Sequence, residues 1–156
     1  MTPLPPELRS PPDAVDVLAR TIWGEARGED RAGREMVAAV IMNRVNADLG
    51  HDNKPDWWGE GVVEVCTRPF QFSCWNPDDA NRRKLMAVTT AEPAFRDCLD
   101  IARRAVAGQI ADTTGGATHY ANIPLILKAS GGRLPTWLVG RAPTHKHGNH
   151  TFFRIL

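Results

Sequence analysis

Glu25 stands where an apolar stripe ought to continue. In the stretch leading to Trp23-Gly-Glu-Ala-Arg-Gly-Glu29, Val15, Leu18 and Ile22 recur at the i, i+3, i+7 spacing of a helix face turned to a core, and three residues further on the same stripe reaches Glu25. A carboxyl near a helix end and beside Trp23 is partly desolvated, and desolvation raises its pKa. A raised pKa keeps it protonated near neutrality, which a general acid requires. The plainer alternatives are an ion pair with Arg20 or Arg27, or a solvated helix end. Glu29 follows one turn later and reads as a more exposed helix-end charge or an orienting partner.

Other residue types suggest other chemistry. Trp23, Trp57, Trp58, Trp75 and Trp137 are many tryptophans for a chain with one tyrosine, and their faces can stack on sugar rings as well as fill a core. Trp57-Trp58 lies in a Gly- and Asp-rich stretch, where a binding groove is a natural role. His145, His147 and His150 cluster late, but the sequence holds neither HExxH nor CxxC, so no metal site is expected. Cys74, then His119 and Asn122, has the order of a thiol peptidase or amidase. Its nucleophile would need a helix N-terminus, and Pro77 makes a helix opening at Cys74 awkward. Cys66, Cys74 and Cys98 are odd in number, which argues against a secreted disulfide framework. Buried thiols are expected, with a Cys66–Cys74 bridge as the alternative.

These residues need elements to hold them. Asp13 is a suitable N-cap for a helix running to about Gly28. A second helix is predicted from about Arg34 to Asn46, with Val37, Val40, Ile41 and Val45 on one face and Ala38-Ala39 allowing close packing. Leu49 to Val65 reads as a long loop or short irregular pieces, a short helix spans Asp79 to Thr89, and a further helix runs from Pro93 to Gly108. Thr113 to Asn122 reads as a turn entering a short extended segment, and Thr151 to Leu156 as a terminal strand. The fold class is α+β, mostly helical, with a small β element.

The chain has 156 residues, 42% hydrophobic and 24% charged, with a formal net charge of +1. That length suits one domain and can bury roughly 70% of its unfolded surface without a metal or disulfide staple. Near-neutral charge lacks the basic footprint of a nucleic-acid partner, and the longest apolar run, around Met36 to Met42, is too short for membrane insertion. Residues 1–12 carry five prolines and read as an extended arm, leaving 13–156 as the single folded domain. No basic start with an apolar core follows Met1, so synthesis without a signal peptide is expected.

Taken together, Leu18 to Glu29, Val37 to Val45, Pro69-Phe-Gln-Phe-Ser-Cys-Trp75, Ala117-Thr-His-Tyr-Ala-Asn122, Trp137 and Gly148-Asn-His-Thr-Phe-Phe153 resemble, in the same order, the spore-cortex-lytic (SleB-type) cell wall hydrolase family. The resemblance implies a lysozyme-like domain that cleaves peptidoglycan glycan strands between MurNAc and GlcNAc, with no cofactor. It assigns the catalytic acid/base to Glu25, and it places Gln71, Phe72, Ser73, Trp75, His119, Tyr120 and Asn122 along the substrate groove.

Spore-associated members of that family carry a secretion signal and a separate peptidoglycan-binding domain, and neither is evident here. The expectation is an endolysin-like enzyme of phage or prophage type, reaching the wall through a pore made by another protein. One prominent carboxyl, rather than the pair used by ordinary glycosidases, points to lytic transglycosylation giving 1,6-anhydroMurNAc. Tyr120 and Gln71 would orient the sugar or steady developing charge. A muramidase using water, a Cys74/His119 peptidase and a non-catalytic wall-binding module are the alternatives.

Overall fold

A computed structural model describes residues 13–47, 58–59, 61–68 and 71–155. The proline-rich arm, Trp57 and most of the stretch from Leu49 to Glu60 lie outside the described residues, as do Pro69, Phe70 and Leu156. The elements run α1 (Ala14–Ala26), α2 (Arg31–Ala47), α3 (Gly61–Thr67), α4 (Ala80–Ala87), α5 (Pro93–Val106), β1 (His119–Ala121), α6 (Ile123–Ser130), β2 (His145–His147) and β3 (His150–Phe153). Short 3-10 turns lie at Ser73–Trp75 and Thr136–Leu138. No helix among the described residues is long and apolar enough to cross a membrane.

α1 forms because Asp13 caps it, its carboxylate accepting from the Val15 N–H at 2.9 Å, and because Leu18, Ala19 and Ile22 are fully buried. Fully burying Leu18 or Ile22 is worth about 1.5–3 kcal/mol each before entropy is charged. The helix stops one residue sooner than glycine punctuation suggests. Arg34 reaches back from α2 and donates to the Arg27 carbonyl at 2.7 Å and the Ala26 carbonyl at 3.3 Å, so the last carbonyls of α1 find a side chain instead of another turn. α2 begins earlier than its apolar pattern, at Arg31, because the Asp30 carboxylate accepts from the Gly33 N–H at 2.8 Å.

The main core lies between α1, α2, α3 and α5, and includes Cys66, Cys74 and Cys98, all free thiols. α3 replaces the end of the long loop expected up to Val65. Its β-branched residues are poor helix formers, and burial of Val65 and Cys66 in that core outweighs the propensity. α6 falls in a stretch, 123–133, to which the sequence reading assigns no element. Asn122 caps it, accepting from the Leu125 N–H at 3.1 Å, Pro124 fits its first turn, and Gly131 ends it in the left-handed region at φ 71°.

The sheet has the order β1-β3-β2, antiparallel throughout, with Tyr120 opposite Phe152 and His147 opposite His150. It seats on α2 through Met36 and Val40, which pack with Ala117 and Phe152. Two polar side chains of α2 complete the joint. Asn43 donates to the Ala117 carbonyl at 2.8 Å and Arg44 to the Thr118 carbonyl at 2.6 Å, so the lead into β1 is fixed against the helix. Thus α2 sets the position of Tyr120 relative to α1.

Candidate active site

Glu25 occupies the last turn of α1, and the Tyr120 hydroxyl on β1 donates to its Oε1 at 2.9 Å across 95 residues of sequence. Burial raises the pKa of the Glu25 carboxyl, and the opposing effects of the Tyr120 hydrogen bond and the Arg44 charge are smaller. Among the described residues Asp79 also acts on it, pushing in the same direction as burial. Asp79 itself caps α4, accepting from the Asn81 N–H at 2.8 Å. Tyr120, also desolvated, is held well above its ordinary pKa of 10 and remains a phenol that can donate.

Arg44 is the buried cation among the described residues of the site and was not singled out from sequence. Its signal was present: Val37, Ile41 and Arg44 stand at i, i+4, i+7 on the buried face of α2, so an arginine continues an apolar stripe just as Glu25 does on α1. Only 7% exposed, it donates to the Gln71 Oε1 at 3.0 Å as well as to Thr118, and its guanidinium lies 5.7 Å from the Trp58 ring and 5.1 Å from the Phe72 ring. Gln71 in turn donates to the Trp58 carbonyl at 2.5 Å and the Val65 carbonyl at 3.2 Å, so its side-chain amide is matched at both its oxygen and its nitrogen.

In front of these groups lies a cleft of about 470 Å³ lined by Arg44, Trp58, Gln71, His119, Tyr120 and Trp137, with Arg141 and Ile155 at its margin. His119 sits between the two tryptophans, its ring 6.1 Å from Trp58 and 5.6 Å from Trp137. Burial lowers its pKa to about 4, with Arg44 and Arg141 adding repulsion, so the imidazole is neutral at pH 7. Two indole walls, a neutral imidazole and an amide make a surface suited to sugar rings.

Of the seven groove residues inferred from the resemblance, Gln71, His119 and Tyr120 line this cleft. Phe72 does not: it is 2% exposed and packs in the main core beneath Arg44. Trp75 is half-buried, donating from Nε1 to the Thr21 hydroxyl at 2.9 Å. Asn122 spends its side chain capping α6, and Ser73 is exposed on the 3-10 turn, outside the cleft lining. Cys74 is buried against α1. A Cβ added at Gly24 would come within 2.9 Å of both its Cβ and its Sγ, so Gly24 is required by this contact. Burial pushes the Cys74 thiol upward, opposite to what a thiol nucleophile needs.

Behind Tyr120, the His150 ring stacks at 4.8 Å and turns its Nδ1 toward Glu29 Oε1 at 3.7 Å, beyond hydrogen-bonding range. His147 pairs with Asp30 at 2.8 Å. The late histidines therefore close the β2–β3 turn onto the end of α1. Among the described residues no group of three or more His, Cys, Asp or Glu is placed to hold a metal ion.

A sequence model of the family described as Cell Wall Hydrolase matches residues 28–153, beginning three residues after Glu25. A spore cortex-lytic enzyme of Halalkalibacterium halodurans is 33% identical over 138 residues, 88% of this chain and 34% of that protein. The Bacillus subtilis spore cortex-lytic enzyme is 36% identical over 59 residues, 38% of this chain and 17% of its own length. The chain thus spans about a third or less of the curated relatives it matches. Among solved structures, the catalytic domain of the Bacillus cereus SleB protein aligns with TM-score 0.59 at 26% identity, covering 90% of this chain and 89% of that one. The catalytic domain of the germination-specific lytic transglycosylase SleB from Bacillus anthracis aligns with TM-score 0.60 at 26% identity, covering 97% and 100%. The fold is that of these lysozyme-like catalytic domains.

Proposed function

The chain belongs to the cell wall hydrolase family, and from that premise we propose that it cleaves peptidoglycan glycan strands at the MurNAc–GlcNAc bond by lytic transglycosylation, with Glu25 as the single acid/base. The observation that carries the reading is the half-buried Glu25 carboxyl, raised in pKa by desolvation and held by Tyr120, which itself lines the aromatic cleft.

Because the Tyr120 hydroxyl donates to Oε1, the transferable proton belongs on Oε2. That proton passes to the glycosidic oxygen as the C1–O bond breaks, and positive charge builds on the MurNAc ring. Glu25 becomes a carboxylate at this moment. Tyr120 and the Arg44 charge favour the ionised form, so the same two groups that oppose the burial shift stabilise the product of the proton transfer. Glu25 then takes the proton of the MurNAc C6 hydroxyl, whose oxygen closes on C1 to give the 1,6-anhydro ring. Among the described residues the one acid acting on Glu25 is Asp79, whose carboxylate is engaged in capping α4, and this favours the intramolecular acceptor over an activated water. Trp58 and Trp137 would carry the sugar faces, with Gln71 and His119 meeting their hydroxyls.

Mass spectrometry of fragments released from purified peptidoglycan tests this. Products ending in 1,6-anhydroMurNAc with wild type, and none with Glu25→Gln, are expected. Reducing MurNAc ends would transfer the acceptor role to water. Peptide-only cleavage that persists in Glu25→Gln would overturn the reading.

A further inference from the structure

Residues 113–156 contain five Lys or Arg and no Asp or Glu, whereas residues 1–112 contain 14 basic and 18 acidic residues. The near-neutral chain is therefore a longer acidic part and a shorter basic part, and the basic part carries the sheet, α6 and the Thr136–Leu138 turn. Such segregation points to an anionic partner for one lobe.

Exposed apolar bulk gathers in the same lobe. Among the described residues, six large apolar side chains are strongly exposed, and four fall between positions 125 and 139: Leu125 at 60%, Leu134 at 42%, Trp137 at 38% and Val139 at 65%. Chance scatter of single apolar residues would not concentrate them so. α6 and the 3-10 turn share one small cluster, with Ile123 and Ile126 packing on Ala121, Leu138 and Phe153. Each element thus turns one apolar side inward and leaves another outward. α6 has no buried residue at all, although its sequence Ile-Pro-Leu-Ile-Leu is among the most apolar of the chain.

Lys128, Arg133 and Arg141 fringe this surface, all exposed. Arg133 and Arg141 donate to backbone carbonyls, those of Ser130 and Trp137, and among the described residues neither pairs with an acid. We propose that the α6 and Thr136–Leu138 flap, with its cationic fringe, is a peripheral docking surface for an anionic lipid bilayer. Aliphatic side chains set beside a tryptophan and ringed by Lys and Arg match the acyl–headgroup boundary, where apolar atoms enter and cations meet phosphates. A second copy meeting this face with the same face would bring like charges together. A hydrophilic polyanion would use the cations and leave Leu125 and Val139 without a role. Because Trp137 and Arg141 also line the cleft, docking would hold the cleft against membrane-proximal material.

The test is co-sedimentation of the full chain with vesicles of equal parts phosphatidylglycerol and phosphatidylcholine, against vesicles of phosphatidylcholine alone. Binding is expected to the anionic vesicles only and to weaken with salt as the charges are screened. Leu125→Ser/Val139→Ser, both outside the cleft, should bind about tenfold more weakly through lost apolar insertion, with an unchanged circular-dichroism melt. Lys128→Gln/Arg133→Gln should erase the preference for anionic vesicles. Absence of wild-type binding to the anionic vesicles overturns the proposal. So does binding that survives the Leu125/Val139 change, which would mark a purely electrostatic polyanion site. A dimer in solution that this same variant dissociates would assign the face to a second copy instead, and overturn it too.

Discussion

Between α2 and α5, six charged residues pair near solvent, whereas Glu25 and Arg44 are withdrawn from it at the cleft. In the outer set Arg31 meets Asp97 and Asp100, Arg34 meets Asp97 at 2.9 Å, and Arg104 meets Glu35 at 2.7 Å. Arg34 and Asp97 are the more enclosed pair of the set, while the others stay in reach of water, and each exposed pair is worth little because water already solvates its members. Glu25 and Arg44 give up that hydration. Burial is the leading influence on both pKa values, upward for the acid and downward for the arginine. Placing charge where it costs most makes sense for a reaction, since a field in a desolvated site acts strongly on developing charge. The outer lattice holds two helices in register, and the inner pair is a poised chemical state.

Glu25→Gln separates the two sets most widely. Activity should fall by at least ~10²–10⁴-fold, the usual contribution of a positioned acid/base, while the fold is retained. The sign of its stability effect follows from the raised pKa. Glu25 favours the fold fully below its ordinary value of 4.5, and that contribution is lost as pH rises through the folded value. Against wild type, the Gln variant should therefore gain stability progressively above pH 4.5, read by urea unfolding across pH.

Arg44→Met should be the costliest change to stability near the site. It leaves the Thr118 carbonyl and Gln71 Oε1 without their donor, and a loss of about 2–4 kcal/mol in urea unfolding is expected. Arg44→Lys should rescue only part, since one ammonium cannot reproduce the planar fork that serves both acceptors.

Tyr120→Phe should lower kcat/KM about tenfold, the scale of one lost charge-assisted hydrogen bond. That hydrogen bond lowers the Glu25 pKa, so its removal should move the alkaline limb of the pH–rate profile upward. A limb that stays in place while activity falls would reduce Tyr120 to a packing residue.

His119 gives a smaller, pH-limited effect. Its pKa falls from 6.5 to about 4 on folding, so its contribution is intact above 6.5 and is lost as pH drops toward 4. His119→Gln should flatten the stability curve in that window. Arg31→Gln on the outer lattice should cost less than about 1 kcal/mol, and less again in high salt.

Much of the frame was legible in the chain. Asp13, the apolar spacing of α1 and α2, Pro93 at the start of α5 and Asp79 at the start of α4 all act locally, and the corresponding helices form within a few residues of expectation. α6 was missed although Asn122, Pro124 and Gly131 punctuate it, because Asn122 had been read as a sugar ligand rather than a cap. α3 had weaker local cues, and its helix depends on core contacts from distant segments. Phe72 illustrates the opposite error, a residue in a functional motif that serves the core.

By itself the sequence determined the helical periodicity, the caps and the two anomalies on apolar faces, an acid at position 25 and an arginine at position 44. These depend on neighbours within a turn or two, where spacing is nearly structure. Only the tertiary structure decided that Tyr120 reaches Glu25, that Arg44 is clamped between Thr118 and Gln71, and that the Cys74 thiol is sealed against Gly24. Those contacts join residues 27 to 95 positions apart, or depend on helices meeting at one edge. Desolvation, which sets the chemistry of Glu25, belongs to the whole packed surroundings and to no single residue.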